Sequence, residues 1–239
     1  MPDMLQERVF LITGATGALG SVVTRVFAQT GAGLALTGRS EGKLEQLIVE
    51  TELPPECVFF ATADVTHEDG ATTLVDAVIA RFGRIDALLN TAGGYSGGKA
   101  VAETLVEEWE HMLALNLHSS FFLSRAVLPH MLEAGWGRIV HVSSKTAVAP
   151  RARRAAYAVS KMGLITLTEV IAAEAKGTGV TANVILPSTI DTLANRASMP
   201  KADPSKWVPP ERIAATMRFL CTDAAGSING ARIPIYGAV

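Results

Sequence analysis

Arg8-Val-Phe-Leu-Ile-Thr13-Gly14-Ala-Thr-Gly17-Ala-Leu-Gly20 is the stretch that decides the fold. Its apolar run, Arg8 to Thr13, predicts a short strand. Three glycines follow, and then a helix predicted over Ser21 to Thr30. Strand, glycine turn and helix in that order open a dinucleotide-binding βαβ unit. Gly14 allows the tight turn. Gly17 lets the backbone approach a pyrophosphate, whose charge the helix N-terminus favours. Gly20 removes a side chain where helix meets sheet. An ordinary glycine-rich turn has the same composition; the flanking strand and helix favour the dinucleotide reading.

Strands and helices alternate through the rest of the chain. Strands are predicted at Gly33–Thr37, Cys57–Thr62, Ile85–Leu89, Arg138–Ser144, Val180–Leu186 and Ala231–Tyr236. Helices are predicted from Gly70 to Phe82, from Ala100, from Glu107 to about Leu132, from Tyr157 to about Lys176, and from Pro210 to Cys221. This pattern predicts one α/β domain over residues 1–239: a doubly wound parallel sheet of about seven strands, the Rossmann fold, with helices on both faces. The Pro- and Ser-rich segment 193–210 reads as a loop or lid.

The second strand runs into Gly38-Arg39-Ser40. An NAD site usually offers a carboxylate to the ribose 2′-hydroxyl here. This chain offers Arg39, whose guanidinium suits a 2′-phosphate, so NADP(H) is favoured over NAD(H). A solvated loop charge is the bland alternative. Glu41 reads better as part of the next helix's first turn. Asp64, beside Val65, either accepts from an adenine amino group or caps the helix that starts near His67. Asn90-Thr-Ala-Gly93-Gly94 follows a strand end and permits close backbone approach to a ligand.

The chemistry is concentrated in Tyr157-Ala-Val-Ser-Lys161 and in Ser144, thirteen positions before Tyr157. On a helix, Tyr157 and Lys161 share a face. A free phenol has a pKa of about 10, and an ammonium beside it draws that value down. Ser144 leaves the sheet at a strand's carboxyl end, where open α/β sheets place their ligands. Hydroxyl, phenol and ammonium together can bind a carbonyl and hand it a proton. Asn116 falls inside an apolar helix, where it is either locally satisfied or kinks the helix and holds a water aimed at the site. Pro187 turns the chain towards the ligand side, which places Thr192 to bond a polar cofactor group.

Composition excludes other classes. The chain has 239 residues, net charge −2, 49% hydrophobic and 18% charged residues. Nucleic acid and anionic membranes are not expected partners. Cys57 and Cys221 have no motif spacing and read as reduced core residues, and no metal is expected. The charged start is not a signal peptide, and no apolar run reaches the length of a membrane span. The protein is therefore expected to be cytoplasmic. A mean hydropathy of +0.28 hints at surface buried between subunits. Arg151, Arg153 and Arg154 form a basic cluster running into Tyr157, either a solvated loop or a seat for a substrate anion.

Over nearly its whole length the chain resembles the short-chain dehydrogenase/reductases. The matching pieces are Thr13-Gly14…Gly17…Gly20, Asp64-Val65, Asn90-Thr91-Ala92-Gly93, Asn116, Ser144, Tyr157-x-x-x-Lys161 and Pro187 to Thr192. The resemblance implies a catalytic tetrad of Asn116, Ser144, Tyr157 and Lys161. It also implies a homotetramer or homodimer with an NAD(P)(H) cofactor held by Gly14, Thr16, Gly17, Leu19, Gly20, Arg39, Ser40, Asp64, Val65, Asn90, Ala92, Gly93, Tyr157, Lys161, Pro187, Ile190 and Thr192. Its implied roles are Ser144 holding the carbonyl oxygen of a small-molecule substrate, Tyr157 donating the proton, Lys161 binding the nicotinamide ribose, and Asn116 positioning a water.

Four features depart from the family pattern: the Gly14, Gly17, Gly20 spacing with Ala18, Thr91 in place of a second Asn, Ser188 after Pro187, and Ile235-Tyr236-Gly237-Ala238 near the end. Leu186 to Trp207 also resembles the lid of dihydropteridine reductases, which generally lack the serine present here as Ser144; reduction of a quinonoid pterin is the runner-up. A non-catalytic nucleotide-binding regulator is the rival from another class. Reduction of an acyl chain on a carrier protein would need basic docking residues, and the helix from Leu164 supplies none before Lys176.

Overall fold

The computed structural model describes residues 4–237. Residues 1–3 of the charged start and Ala238 of the C-terminal motif lie outside the described residues.

The strands are β1 (Val9–Thr13), β2 (Gly33–Gly38), β3 (Val58–Thr62), β4 (Ala87–Asn90), β5 (Gly137–Val142), β6 (Val180–Pro187) and β7 (Arg232–Ile235). They form one parallel sheet in the order β3-β2-β1-β4-β5-β6-β7. The helices are α1 (Gly20–Ala28), α2 (Glu41–Thr51), α3 (Glu68–Phe82), α4 (Val106–Leu113), α5 (Ser119–Ala134), α6 (Lys145–Val148), α7 (Ala155–Glu174), α8 (Leu193–Ser198) and α9 (Pro210–Leu220).

β1, β4, β5 and β6 are buried along their whole length. Covered on both faces, they read as continuous apolar runs. Side chains still alternate between faces. Phe10 and Ile12 join Phe27 and Met217 in one core layer, whereas Val9 and Leu11 join Val75, Leu123 and Ile171 in the other. β7, at the edge, alternates between exposed and half-buried positions.

The chain runs outward from β1 to β3 and then crosses back to lay β4 against β1. This reversal opens a crevice at the carboxyl ends of β1 and β4, where such sheets bind ligands. Thr13 pairs with Asn90 in register, so the residues after each strand meet in that crevice.

Three expectations are corrected. The helix predicted from Ala100 is a single 3-10 turn, Val101–Glu103, because Thr104 is already extended. Segment 193–210 is not all loop. Thr192 caps α8 by accepting from Asn195 N at 3.1 Å, and Trp207 and Val208 are buried, with Val208 bridged to Ile190. Finally, α7 is long and apolar enough, with a mean hydropathy of 1.3, to span a membrane by length and composition alone. It packs instead on α4, α6 and β6, with Lys161 5% exposed inside the protein.

Candidate active site

The glycine turn is built for close approach. Gly14 has φ +63°, and a Cβ there would lie 2.9 Å from Ala92 Cα. A Cβ on Gly20 would stand 2.1 Å from the Gly14 carbonyl oxygen. Only glycine fits either position without moving the turn after β1 or the loop that follows β4.

Hydroxyls tie the two strand ends together. Thr91 Oγ1 donates to the Thr13 carbonyl at 2.6 Å, so threonine braces the crevice where the family commonly has a second asparagine. Thr13 Oγ1 donates to Asn90 Oδ1 at 2.6 Å, and Asn90 Nδ2 donates to Ser120 Oγ at 2.8 Å. Ser120 in turn donates to the Asn116 carbonyl at 3.0 Å. Asn90, only 1% exposed, thus has both ends of its amide engaged inside the protein. Its side chain supports the crevice from below; what it can offer a cofactor is backbone. Sequence reasoning missed Thr91 and Ser120 as supports, because the signal is one of spatial neighbours.

Asn116 occupies a π-helical turn, Ala114–His118, between α4 and α5. Such single turns often mark functional sites. Its Oδ1 accepts from Gly94 N at 3.0 Å, and its Nδ2 donates to Gly94 O and to Ser160 Oγ, each at 3.2 Å. The distorted helix agrees with the expected kink. The amide, however, is held by protein partners on both sides, so its first role is to fix the loop after β4. A Cβ on Gly93 would lie 2.9 Å from Asn116 Oδ1 and 3.1 Å from Lys161 Nζ. Glycine keeps a small cradle open between amide and ammonium.

Ser144 lies two residues beyond β5 as the N-cap of α6, where its Oγ accepts from Thr146 N at 3.1 Å. Tyr157 and Lys161 stand one turn apart on α7. Burial pushes the Tyr157 phenol above its ordinary pKa; the Ser144 hydroxyl, hydrogen-bonded to it, and the nearby Arg154 charge draw it back. Among the described residues, Lys161 makes no hydrogen bond to the phenol one turn before it. Its Nζ donates to the Val142 carbonyl at 2.8 Å, which turns the charge towards the end of β5. Burial pushes the Lys161 pKa down to about 8.

Tyr95, unremarked in the sequence, meets Tyr157 edge-on at 5.0 Å between ring centroids. Arg154 lies over the Tyr95 ring, 5.5 Å from its centroid. Gly98 N donates to the Arg153 carbonyl at 2.8 Å, which joins the loop after β4 to the turn before α7. The Arg151, Arg153, Arg154 cluster is therefore split, and Arg154 is the member placed beside the site.

At the other end, Arg39 and Asp64 line a groove of about 520 Å³ with His111 and Leu115. Arg39 is exposed and, among the described residues, has no ion-pair or hydrogen-bond partner. Ser40 is the N-cap of α2 with no side-chain cap bond, and Glu41 begins that helix as expected. Asp64 does not cap α3, whose N-cap is His67 with no side-chain cap bond; its carboxylate closes the turn before that helix, accepting from Thr66 N at 3.0 Å and Thr66 Oγ1 at 2.6 Å, which holds its pKa down. Thr16 Oγ1 lies only 2.9 Å from where a Gly38 Cβ would be, so the glycine turn packs closely against the end of β2. Val65 is buried beside the groove, whereas Leu19 is half-buried at the start of α1. Pro187 ends β6, Ile190 pairs with Val208, and Thr192 caps α8.

Comparison with known proteins agrees with this geometry. The short chain dehydrogenase family profile matches residues 8–203. The D-threitol dehydrogenase of Mycolicibacterium smegmatis is 36% identical, with 98% of this chain and 93% of that protein covered. The 3-oxoacyl-[acyl-carrier-protein] reductase of Thermotoga maritima is 30% identical, with 98% of each covered. A solved short-chain type dehydrogenase/reductase from Mycobacterium ulcerans superposes with a TM-score of 0.91 at 27% identity, covering 97% of this chain and 89% of that one.

Proposed function

The chain belongs to the short-chain dehydrogenase family, and we propose that it is an NADP(H)-dependent oxidoreductase interconverting a carbonyl compound and its alcohol. The observation that carries this reading is the meeting of Ser144, Tyr157 and Lys161 beside the crevice between β1 and β4. A nucleotide-binding regulator has no need of a serine hydrogen-bonded to a buried phenol. That same serine favours carbonyl chemistry over the pterin alternative.

The residues fit a nicotinamide dinucleotide. Gly14, Thr16, Gly17, Leu19 and Gly20 would hold its pyrophosphate, Arg39 and Ser40 a 2′-phosphate, and Asp64 and Val65 the adenine. Asn90, Ala92 and Gly93 would lie along its middle by their backbone, and Pro187, Ile190 and Thr192 at the nicotinamide end. When bound, the cofactor supplies or accepts the hydride. In the reducing direction Tyr157 would give its proton to the carbonyl oxygen as the carbonyl carbon takes the hydride, so that the product would be the alcohol. Ser144 donates to the substrate oxygen as negative charge grows there. Lys161, whose pKa burial brings down to about 8, would hold the ribose and return a proton towards Tyr157. Asn116 fixes the Gly93–Gly94 backbone around that ammonium.

We place the protein in the cytoplasm as a homodimer or homotetramer. Support for assembly comes from Val159, Met162 and Val170 on α7 and Phe121 on α5, each more than a third exposed although large and apolar. Light scattering at micromolar concentration should give a multiple of 25.2 kDa; the monomer mass would reject assembly.

The activity is tested by following NADPH oxidation with a carbonyl panel and NADP reduction with an alcohol panel. Tyr157→Phe should abolish turnover while NADPH binding persists, since the ring still packs on Tyr95. Wild-type turnover in that variant would remove Tyr157 from its role.

A further inference from the structure

We propose that Arg154 seats a carboxylate of the substrate, so that the compound handled at Tyr157 is a short hydroxy or oxo acid. This rests on the oxidoreductase reading above and names its substrate class.

Position comes first. Arg154 is three residues before Tyr157, half-buried, at the N-terminal edge of α7. Its guanidinium and the catalytic phenol are separated by one ring, Tyr95, in steps of 5.5 Å and 5.0 Å. A substrate with its oxygen on the phenol can reach Arg154 with a group only a few bonds away.

Pairing comes second. Arg25, Arg84, Arg125, Arg196 and Arg232 each meet a carboxylate. Arg154 has a ring for company and, among the described residues, no carboxylate. The acids that follow Tyr95 in the chain are taken: Glu108, on α4, is engaged by Ser96 and Lys99, and Glu103 by the Ala100 N–H. A guanidinium held against an aromatic face loses water on that side, which strengthens a further anionic contact. Its planar fork matches one carboxylate in two parallel hydrogen bonds.

Fixation comes third. Arg153 has φ +64°, a left-handed backbone that is uncommon outside glycine and clusters at functional sites. Its carbonyl accepts from Gly98 N, and a Cβ on Gly97 would lie 2.9 Å from that same oxygen. The turn that presents Arg154 is thus locked to the loop that presents Tyr95. The carboxylate is unchanged by the reaction; its seat orients the carbonyl on Ser144 and Tyr157.

The test uses ligand-observed NMR, which needs no turnover. Pyruvate, acetoacetate and levulinate are each compared with their methyl esters, in the presence of wild type, Arg154→Gln and Arg154→Lys. Wild type should broaden at least one acid far more than its ester. The preference should vanish in Arg154→Gln, survive in Arg154→Lys, and weaken with salt. In steady state, Arg154→Gln should raise KM for that acid by about ten- to a hundredfold, with a smaller change in kcat. Equal broadening of all three acids and their esters, or an acid preference that persists in Arg154→Gln, overturns the proposal. Turnover of neutral carbonyls with no effect of Arg154→Gln would leave the oxidoreductase reading standing and remove this one. An Arg154-dependent acid preference without any turnover would do the reverse.

Discussion

The Lys161 ammonium donates to the Val142 carbonyl at 2.8 Å, bound to the end of β5 rather than to Tyr157, its neighbour one turn earlier on α7. A buried cation with one neutral partner is held against its solvation preference, which pushes its pKa from 10.5 down to about 8. The folded state therefore disfavours the protonated form. Below pH 8 that cost is present in full. Between pH 8 and 10.5 the unfolded chain binds the proton and the folded one sheds it, so this group's contribution to stability rises with pH, by at most about 1.4 kcal/mol per unit. Lys161→Met removes the term. Its urea-unfolding free energy, relative to wild type, should be more favourable at pH 7 than at pH 9.5. A difference that does not vary with pH would show that Lys161 does not titrate in this window.

Gly93→Ala puts a methyl group into the cradle between Asn116 and Lys161. Asn116 cannot retreat, because both ends of its amide hold Gly94. Overpacking of this kind costs about 1–3 kcal/mol. Displacement of the proposed catalytic groups should lower kcat by about ten- to a hundredfold. Thermal melts and steady-state rates read the two effects; a variant with both unchanged would mean that the cradle yields freely.

Ser144 caps α6 in the structure and, in the proposed reaction, donates to the substrate oxygen; one substitution with two readouts separates the roles. Ser144→Ala removes a donor to the substrate oxygen, and kcat should fall by about ten- to a thousandfold. It also removes the cap on Thr146 N, which should lower stability by about 0.5–2 kcal/mol. Loss of stability with kcat intact would leave Ser144 as a cap alone and reopen the pterin alternative.

The sheet was legible because its central strands are buried on both faces and must be apolar throughout. Arg8 to Gly20 alone announced a crossover unit, and the later strands followed the same rule. Local spacing also singled out Ser144 and Tyr157, whose side chains the structure brings into hydrogen-bond contact, and placed Lys161 one turn further on α7. It could not tell which way Lys161 would turn, since a competing acceptor, the Val142 carbonyl, comes from another element. The same reason hid Tyr95: its contact with Tyr157 joins the loop after β4 to helix α7, about 60 residues further along the chain. Asn116 looked ready to hold a water because its partner, the Gly94 backbone, has no signature in a sequence. In segment 193–210, abundant Pro and Ser suggested loop, yet Thr192 followed by Leu193 is also how a short capped helix begins.

Cofactor choice rests on Arg39 and can be tested without a substrate. Arg39 follows β2 at the rim of the groove shared with Asp64, exposed and unpaired among the described residues. Asp64 cannot easily pair with it, because Thr66 and His67 already engage both carboxylate oxygens. Glu41 lies in the first turn of α2, where the helix N-terminus favours its charge. A phosphate on the adenosine ribose would therefore meet an uncompensated guanidinium, with the Ser40 hydroxyl beside it. Charge-assisted hydrogen bonds contribute roughly 1.5–3 kcal/mol each, so a single one converts to about a ten- to hundredfold preference for NADPH over NADH at about 1.4 kcal/mol per decade. Added salt should narrow that margin, since the pair is open to solvent. Arg39→Asp should reverse it, because a carboxylate repels the phosphate and accepts from a free 2′-hydroxyl. Titrating both reduced cofactors into wild type and variant, with their own fluorescence as the signal, measures all four affinities. Equal affinities in wild type, or a variant that binds both as before, would make Arg39 a solvated loop charge.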